Sequence, residues 1–319
     1  NLGWYTIQAA TYGHFVAQVF HMGQVGEGIC MAVSAIVMGI FAMCGIGAIT
    51  ILGYIAIPAI VFLSIATAIR SLGVIGGMEA LFAYVPSSDM PLFTGITAVI
   101  GTWVLSTATC IADIMRYAKD TKAAVSATLT GLLGGNILMI VCGAIAAIAM
   151  QNSDLTVILL GFGLVIPSLI LMTTNIFTTN AANLYSTSLN LSNAFKMERK
   201  KMLAILLVLS ALATLTKPYE IGFLFTFLNI LGTVVPPLSG IILSDYFLVH
   251  KGHYAAYDKA SFCKWNPVPW ITWAISIALV YMIPFGLPSL NGIILGAVLY
   301  TALMAISKQR VTTNLAEEA

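Results

Sequence analysis

The sequence predicts an all-α integral membrane protein. Its composition and the length of its apolar stretches both indicate this class. Of the 319 residues, 59% are hydrophobic and only 8% are charged, whereas about 25% of the residues of an average soluble domain are charged. Apolar stretches of about 20 residues, the length of a helix that crosses about 30 Å of hydrocarbon, recur along the whole chain. The short alternating segments of a membrane β-barrel do not occur. We therefore expect a bundle of membrane-spanning helices.

About ten spans are predicted. In chain order they cover approximately residues 1–20, 28–46, 48–70, 93–114, 122–150, 156–189, 200–216, 221–248, 268–285 and 288–306. The sixth stretch is too long for one straight helix, and we expect Pro167 to interrupt it, as Pro236 and Pro237 should interrupt the eighth span. Breaks at membrane depth are tolerated only where the backbone packs in protein or lines a cavity.

The positions of lysine and arginine predict the orientation. Twelve of the 14 basic residues fall on one side of the predicted spans, and only Arg70 and Lys217 fall on the other. Because cytoplasmic loops are enriched in these residues, we expect the richer side to be cytoplasmic. Residues 1–319 then form one multi-pass domain of the inner (cytoplasmic) membrane, with residues 307–319 as a cytoplasmic tail.

A polar run inside the sixth stretch is the first candidate site. At 100° per residue, Asn175, Thr178, Thr179 and Asn183 fall within an arc about 140° wide, and Asn180 lies at its edge. Exposing such groups to lipid is costly, so they should face the bundle interior or a cavity. Their oxygens suit a hard cation, and their amides suit a planar polar substrate. Hydrogen bonding between helices is the alternative.

The first span contains a second candidate set. Asn1, Trp4 and Gln8 share one helical face, where the indole would stack on an aromatic ring and the amide would bind its edge. Trp103 in the fourth span, three residues before Ser106, would supply a second aromatic surface. The alternatives are an interfacial role for Trp4 and ordinary packing for Trp103.

Other titratable residues in the spans are weaker candidates. His14 would serve as a proton relay in a coupled carrier, although a single membrane histidine is more often structural. Asp113 precedes Arg116 by three residues, so we expect a local ion pair, and Asp245 stands in the same position at the end of the eighth span. The sequence shows no catalytic triad, phosphate loop or basic aromatic patch, so neither an enzyme, nor a bound cofactor, nor a nucleic-acid partner is expected.

Four ordered motifs resemble the nucleobase:cation symporter-1 family over essentially the whole chain. They are residues 3–8 (Gly-Trp-Tyr-Thr-Ile-Gln), residues 101–103 followed by Asp113 and Arg116-Tyr117, residues 175–180 (Asn-Ile-Phe-Thr-Thr-Asn), and residues 244–249 (Ser-Asp-Tyr-Phe-Leu-Val) followed by Lys251-Gly252 and Tyr254. They are similar to the third, sixth and eighth helices of that family and to the signature after its tenth helix. The eighth-helix motif is most similar to the cytosine-transporting branch.

The resemblance implies a LeuT-like fold of two inverted five-helix repeats plus two further helices. It also implies that this chain corresponds to helices 3–12 of twelve, beginning at the third. The activity implied is sodium-coupled symport of a nucleobase, cytosine, by a monomer in the lipid bilayer, with sodium as the coupling ion and no cofactor. A proton-coupled permease for purines, hydantoin, allantoin or a pyrimidine vitamin precursor is one alternative. A non-transporting membrane sensor or scaffold is another.

The resemblance also implies roles for individual residues. Trp4 and Trp103 match the aromatic pair that brackets the base, and Asn180 matches the residue that hydrogen-bonds it. The further substrate-binding candidates are Gln8, Asn1, Asn183 and Ser106. The backbone of Asn175 and the hydroxyls of Thr178 and Thr179 match the sodium ligands.

Overall fold

A computed structural model of the chain describes residues 1–43, 46–86, 90–152, 155–254, 266–283 and 285–307, of which residues 46, 48, 101–110, 112 and 155–156 are described by their backbone alone. Every regular element in these ranges is helical, which confirms the predicted all-α class. The chain divides into two compact units. The first unit is Asn1–Ser87 with Cys110–Glu220, and the second is Ser88–Thr109 with Ile221–Ala319.

The first unit is built around a bundle of four helices. Its helices are, in chain order, α1 (Leu2–Val19), α2 (Gln24–Met43), α3 (Ile46–Ile75), α4 (Met78–Phe82), the end of α5 (Leu92–Met115), α6 (Thr121–Leu129), α7 (Asn136–Met150), α8 (Leu155–Gly161), α9 (Val165–Ala194) and α10 (Arg199–Thr214). Its core lies where α1, α2, α9 and α10 meet, around Tyr5, Phe15 and Leu184. Gly13 allows α1 to lie directly against α2, because a Cβ there would come within 2.3 Å of the Met31 Cα.

The second unit depends on the close packing of two helices. It contains the beginning of α5, then α11 (Ile221–Val234), α12 (Pro236–Ser244), α13 (Val268–Met282) and α14 (Pro288–Ser307). A Cβ added to Gly240 of α12 would lie 2.0 Å from the Ile293 carbonyl oxygen of α14. Small residues permit this approach, which is common between membrane helices because lipid supplies no hydrophobic drive for their association.

Several of the described helices have the length and composition of membrane spans. Five qualify by both criteria: Gln24–Met43, Ile49–Ile75, Thr121–Met150, Ile221–Val249 and Pro288–Ser307. Two of these spans include a π-helical turn, at Thr130–Gly135 and at Asp245–Val249. Helices α1 and α9 are also long enough to cross a bilayer, but they carry the polar runs identified above.

The interruption of the sixth stretch does not lie at Pro167, as predicted, but just before it. Helix α8 ends at Gly161 and α9 begins at Val165, with Gly163 in the left-handed region (φ +69°) between them. Pro167 lies in the first turn of α9, where its missing N–H removes no helical hydrogen bond. In the eighth span the predicted break is found, because α11 ends at Val234 and α12 begins at Pro236.

Candidate functional site

The predicted polar run occupies two faces of α9. Asn175 and Thr178 are half-buried and Thr179 is exposed, so these three sodium candidates lie on a side of the helix that the rest of the first unit leaves accessible. Asn180 is 0% exposed. The helix therefore separates the residues implied to bind the ion from the one implied to bind the base.

The two threonines are satisfied within their own helix. The Thr178 hydroxyl donates to the Thr174 carbonyl oxygen at 2.8 Å and lies 2.9 Å from that of Asn175, while the Thr179 hydroxyl donates to the Asn175 oxygen at 3.0 Å. A hydroxyl whose hydrogen is bound to a carbonyl retains its lone pairs for another group. Both side chains can therefore offer oxygen to a cation without losing these bonds.

A small cavity lies beside Asn175. Its volume is about 40 Å³, and its lining comes from α3, α7 and α9 and includes Ser64, Thr67 and Cys142. A space of this size admits water or a small cation but is far below the volume of about 300–1,000 Å³ typical of pockets for organic ligands. The cavity is therefore too small for a base.

Asn180 is directed into the bundle. Its Nδ2 donates to the Tyr5 carbonyl oxygen on α1 at 3.1 Å and lies 3.2 Å from the Met38 sulfur on α2. Because a carbonyl oxygen only accepts, this contact fixes which end of the amide is the nitrogen. The Asn180 Oδ1 has no hydrogen-bond partner among the described residues, so its remaining capacity is that of an acceptor.

The candidates on α1 lie on a helix that packs directly against α9. Asn1, Trp4 and Gln8 are half-buried, and the Gln8 Oε1 is a buried acceptor without a partner in the part of the chain that the structure describes. The Tyr12 hydroxyl joins the two helices through a 2.8 Å hydrogen bond to the Thr173 hydroxyl. The packed pair of α1 and α9 thus carries both sets of candidates, including Asn1 directly before α1.

Three predicted substrate contacts remain: Asn183, Trp103 and Ser106. Asn183 is 5% exposed on α9. The side chains of Trp103 and Ser106 lie outside the described part of the chain.

His14 has a partner that the sequence analysis missed. Its Nδ1 lies 2.8 Å from Oε1 of Glu27 in the first turn of α2, and the same carboxylate accepts from Tyr219 at 2.6 Å and from Lys217 at 3.2 Å. The side chains of His14 and Glu27 are 18% and 12% exposed. The available signal was a single acidic residue directly before an apolar stretch, close to the histidine of the preceding span.

The predicted ion pair between Asp113 and Arg116 is not formed, because each side chain has other partners. Asp113 accepts from the Ser186 hydroxyl and from the Asn190 amide at 3.2 Å, both on α9. Arg116 donates to the hydroxyls of Tyr117 at 2.8 Å and Tyr185 at 2.9 Å. The hydrogen bond with Tyr185, and secondly the one from Arg116, lowers the pKa of the Tyr117 phenol below its usual value. The polar end of α5 is thereby attached to α9.

Asp245 in the second unit is also bound to distant side chains. Its carboxylate accepts from the Tyr300 hydroxyl at 2.7 Å and from the Tyr254 hydroxyl at 2.6 Å, and His250 Nδ1 lies 3.5 Å away. Burial raises the pKa of the Tyr254 phenol above its usual value, and the hydrogen bond to Asp245 raises it further. The contacts join the π-helical turn to α14, which indicates a structural role for this motif.

The described residues contain no group of three histidine, cysteine, aspartate or glutamate side chains placed to hold a metal ion. A bound cation would rest on hydroxyl and carbonyl oxygens, and these suit an alkali ion better than a transition metal.

Comparison with known proteins places the chain in a family. Residues 1–305 match the family described as permease for cytosine/purines, uracil, thiamine, allantoin. The cytosine permease of Escherichia coli K12 is 28% identical over 315 residues, which are 99% of this chain and 73% of that protein. The hydantoin permease of Microbacterium maritypicum is 28% identical over 242 residues, covering 67% of this chain and 49% of that protein.

The fold is shared with a solved transporter. The structure of Mhp1, a nucleobase-cation-symport-1 family transporter in a closed conformation with bromovinylhydantoin bound, matches with a TM-score of 0.79 at 20% identity and covers 100% of this chain and 75% of that one. This likeness confirms the predicted transporter fold, and the family match covers nearly the whole chain. The chain is a membrane transporter rather than an enzyme, and it belongs to the family of permeases for cytosine, purines, uracil, thiamine and allantoin.

Proposed function

We propose that this transporter is a sodium-coupled symporter that carries cytosine across the inner membrane as a monomer, with its C-terminus in the cytoplasm. The observation that supports it most is the set of oxygens on the accessible face of α9. The hydroxyls of Thr178 and Thr179 donate inward to backbone carbonyls and keep lone pairs for a cation. The Asn175 carbonyl oxygen, which accepts from Thr179 and lies 2.9 Å from the Thr178 hydroxyl, is the third proposed ligand.

The base is proposed to bind against α1. Trp4 offers a flat surface for stacking, and the buried acceptor of Gln8 lies one turn further along the same face. An unpaired buried acceptor is costly, so the favoured ligand is one that brings an N–H group to it, as the amino group of cytosine does. Trp103, Asn180, Asn1, Asn183 and Ser106 are the further proposed contacts.

The names of relatives support a heterocyclic substrate with several N–H and C=O groups. The E. coli relative is a cytosine permease, and the Mhp1 structure contains a hydantoin. Coupling then requires that sodium raise the affinity for the base and that the base raise the affinity for sodium by the same factor.

Uptake by the full chain in proteoliposomes tests the proposal. An inward sodium gradient should drive accumulation of labelled cytosine, and replacing sodium with potassium should abolish it. Thr179→Ala should weaken the apparent sodium affinity about ten-fold, since a ligand to a charged group is lost. Thr187→Ala is the matched control, because its hydroxyl makes the same kind of bond within α9, to the Asn183 oxygen at 2.8 Å.

Three results would contradict parts of the proposal. Uptake that is independent of sodium would remove the proposed coupling ion, and equal sodium affinities for the two threonine variants would remove the proposed ion site. Efficient uptake of uracil or hypoxanthine without uptake of cytosine would replace the substrate and leave the coupling intact.

A proton-coupled permease is a second candidate, and the contact between His14 and Glu27 favours it. Titratable pairs inside spans are typical of proton relays, and these two side chains are joined at 2.8 Å. Uptake measured against sodium concentration at fixed pH separates the two mechanisms. A proton-coupled carrier would accumulate base in sodium-free vesicles with an inward proton gradient, and His14→Gln would abolish that accumulation.

A further inference from the structure

A hollow on the surface of the first unit shares Thr67 and Leu171 with the small cavity beside Asn175 but extends away from it. It lies between α3, α8 and the beginning of α9, and its volume is about 510 Å³. Most of its lining is apolar, with contributions from Phe62, Leu63, Ile69, Leu159, Leu164 and Leu171. The hydroxyl of Thr67, which also lines it, is bound to the Leu63 carbonyl oxygen at 2.8 Å. Arg70 is the charged member of the lining.

The guanidinium of Arg70 is held in a defined position. One of its nitrogens donates to the Phe162 carbonyl oxygen at 3.3 Å, and its central carbon lies 5.2 Å from the centre of the Phe162 ring. An arginine has five N–H donors, so most remain available. No carboxylate lies within ion-pair distance of Arg70 among the residues the structure describes. The hollow thus carries a fixed positive charge with no acidic partner in that part of the chain.

The apolar lining extends away from Arg70 along the axis of α3. Phe62 and Arg70 are eight residues apart on α3, which corresponds to about 12 Å at 1.5 Å per residue. Arg70 is also one of the two basic residues that the distribution of charge predicts on the outer side of the membrane. A ligand that fits this hollow needs an anionic group at one end and an apolar chain along the other.

We propose that this hollow is a binding site for an anionic phospholipid. The phosphate group binds the Arg70 guanidinium, whose planar donors match phosphate geometry, and an acyl chain lies along α3 against Leu159 and Leu171. Basic pockets between membrane helices are a recurring way to bind anionic head groups. The described lining offers no carboxylate for the ammonium group of a zwitterionic head group, so a lipid with net negative charge is preferred. A nucleobase is neutral and has no apolar chain to fill such a hollow.

The site has a structural consequence for the transporter. Leu164 and Pro167 lie at the beginning of α9, which also carries the proposed sodium ligands further along. A bound lipid would cover the connection between α8 and α9 and stabilise the start of that helix. The inference is independent of which base or ion is transported.

Lipid titration of the purified, delipidated full chain tests the proposal. Phosphatidylglycerol should raise the melting temperature more than phosphatidylcholine does, and native mass spectrometry should show a retained phosphatidylglycerol molecule. Arg70→Gln should weaken binding of phosphatidylglycerol about five-fold, the loss expected for one basic residue near a membrane surface, and should remove its advantage over phosphatidylcholine. Arg70→Lys should retain part of that advantage because it keeps the charge.

Two further variants separate the contributions. Ala66→Trp fills the hollow without changing its charge and should reduce phosphatidylglycerol binding even if Arg70→Gln fails to fold, since Ala66 is an exposed residue of the lining. Lys200→Gln removes an exposed charge on α10 outside the hollow and should bind like the unchanged protein.

Three outcomes would overturn the proposal. One is equal stabilisation of the unchanged protein by the two lipids, and another is a preference for phosphatidylglycerol that survives both Arg70→Gln and Ala66→Trp. The third is an equal effect of inorganic phosphate at the same concentration, which would indicate a free-anion site.

Discussion

Polar side chains on the two faces of α9 form two different kinds of hydrogen bond. On the accessible face, Thr178 and Thr179 donate to carbonyl oxygens one turn back in the same helix. On the buried face, Asn180 reaches the Tyr5 carbonyl oxygen on α1, and Ser186, which is buried further along α9, reaches the Asp113 carboxylate on α5. Both sets are hydrogen-bonded, but only the second joins separate elements of the fold.

The difference explains how one helix can hold the fold together and still present a ligand site. A bond within a helix leaves the position of that helix unconstrained and leaves oxygen lone pairs accessible. A bond between buried groups fixes the packing, and breaking it leaves a partner unsatisfied in a medium without water. Substitutions on the buried face should therefore affect stability, whereas substitutions on the accessible face should affect ligand binding.

The largest effect on stability is expected for Asn180→Ala. It removes a fully buried side chain and its bond to α1, so the free energy of unfolding should fall by about 2–4 kcal/mol. Thr179→Ala, one residue away on the accessible face, should change it by less than about 0.5 kcal/mol. Unfolding titrations of both variants in mixed micelles provide the measurement. Equal losses would mean that the two faces do not differ.

Asp113→Ala should have the next largest effect. It leaves the buried hydroxyl of Ser186 and the amide of Asn190 without this acceptor, which should cost about 1–2 kcal/mol. Asp113→Asn keeps one acceptor oxygen and should recover part of the loss in the same titration. If the alanine variant were as stable as the unchanged protein, the attachment of α5 to α9 would not depend on Asp113.

Tyr12→Phe tests a single bond between α1 and α9. It deletes the hydroxyl that lies 2.8 Å from Thr173 while keeping the ring, which packs against Phe177. Hydrogen bonds between membrane helices contribute about 0.6 kcal/mol on average, so a loss of that order is expected. Thr173→Val should give a similar value, and the double variant should add little to either, because both remove the same bond.

The smallest effect is expected for Thr178→Ser. Serine retains the hydroxyl and the acceptors one turn back, so both stability and sodium dependence of uptake should remain close to those of the unchanged protein. Thr178→Val, which keeps the shape but lacks the oxygen, should weaken sodium dependence at unchanged stability. Reduced stability in the valine variant would place Thr178 with the structural residues and contradict its assignment to the ion site.

Much of this arrangement follows from sequence because helical geometry is local. The spacing predicts that Asn175, Thr178, Thr179 and Asn183 share an arc with Asn180 at its edge. In the structure the first three are at least partly exposed, whereas Asn183, further along the helix, is buried with Asn180. The break in the sixth stretch was located wrongly because proline is tolerated in the first turn of a helix. The break lies instead at Gly163, whose φ of +69° is a conformation that glycine adopts without strain.

Partners between helices did not follow from sequence. Asp113 has Arg116 three residues away but binds Ser186, 73 positions distant, and His14 binds Glu27 on the next helix. Local spacing shows which side chains are close along one helix. It does not show which other helix approaches them.

The sequence by itself determined the membrane class, because a chain with 59% hydrophobic and 8% charged residues cannot cover its apolar surface in water. It also determined the family, through four ordered motifs, and the angular order of polar groups around α9. Only the tertiary structure decided that the Asn180 edge of α9 meets α1 and α2, while the described residues leave the threonine face at least partly exposed. The physical reason is that helical periodicity fixes directions around one axis, whereas burial depends on which helices pack against it.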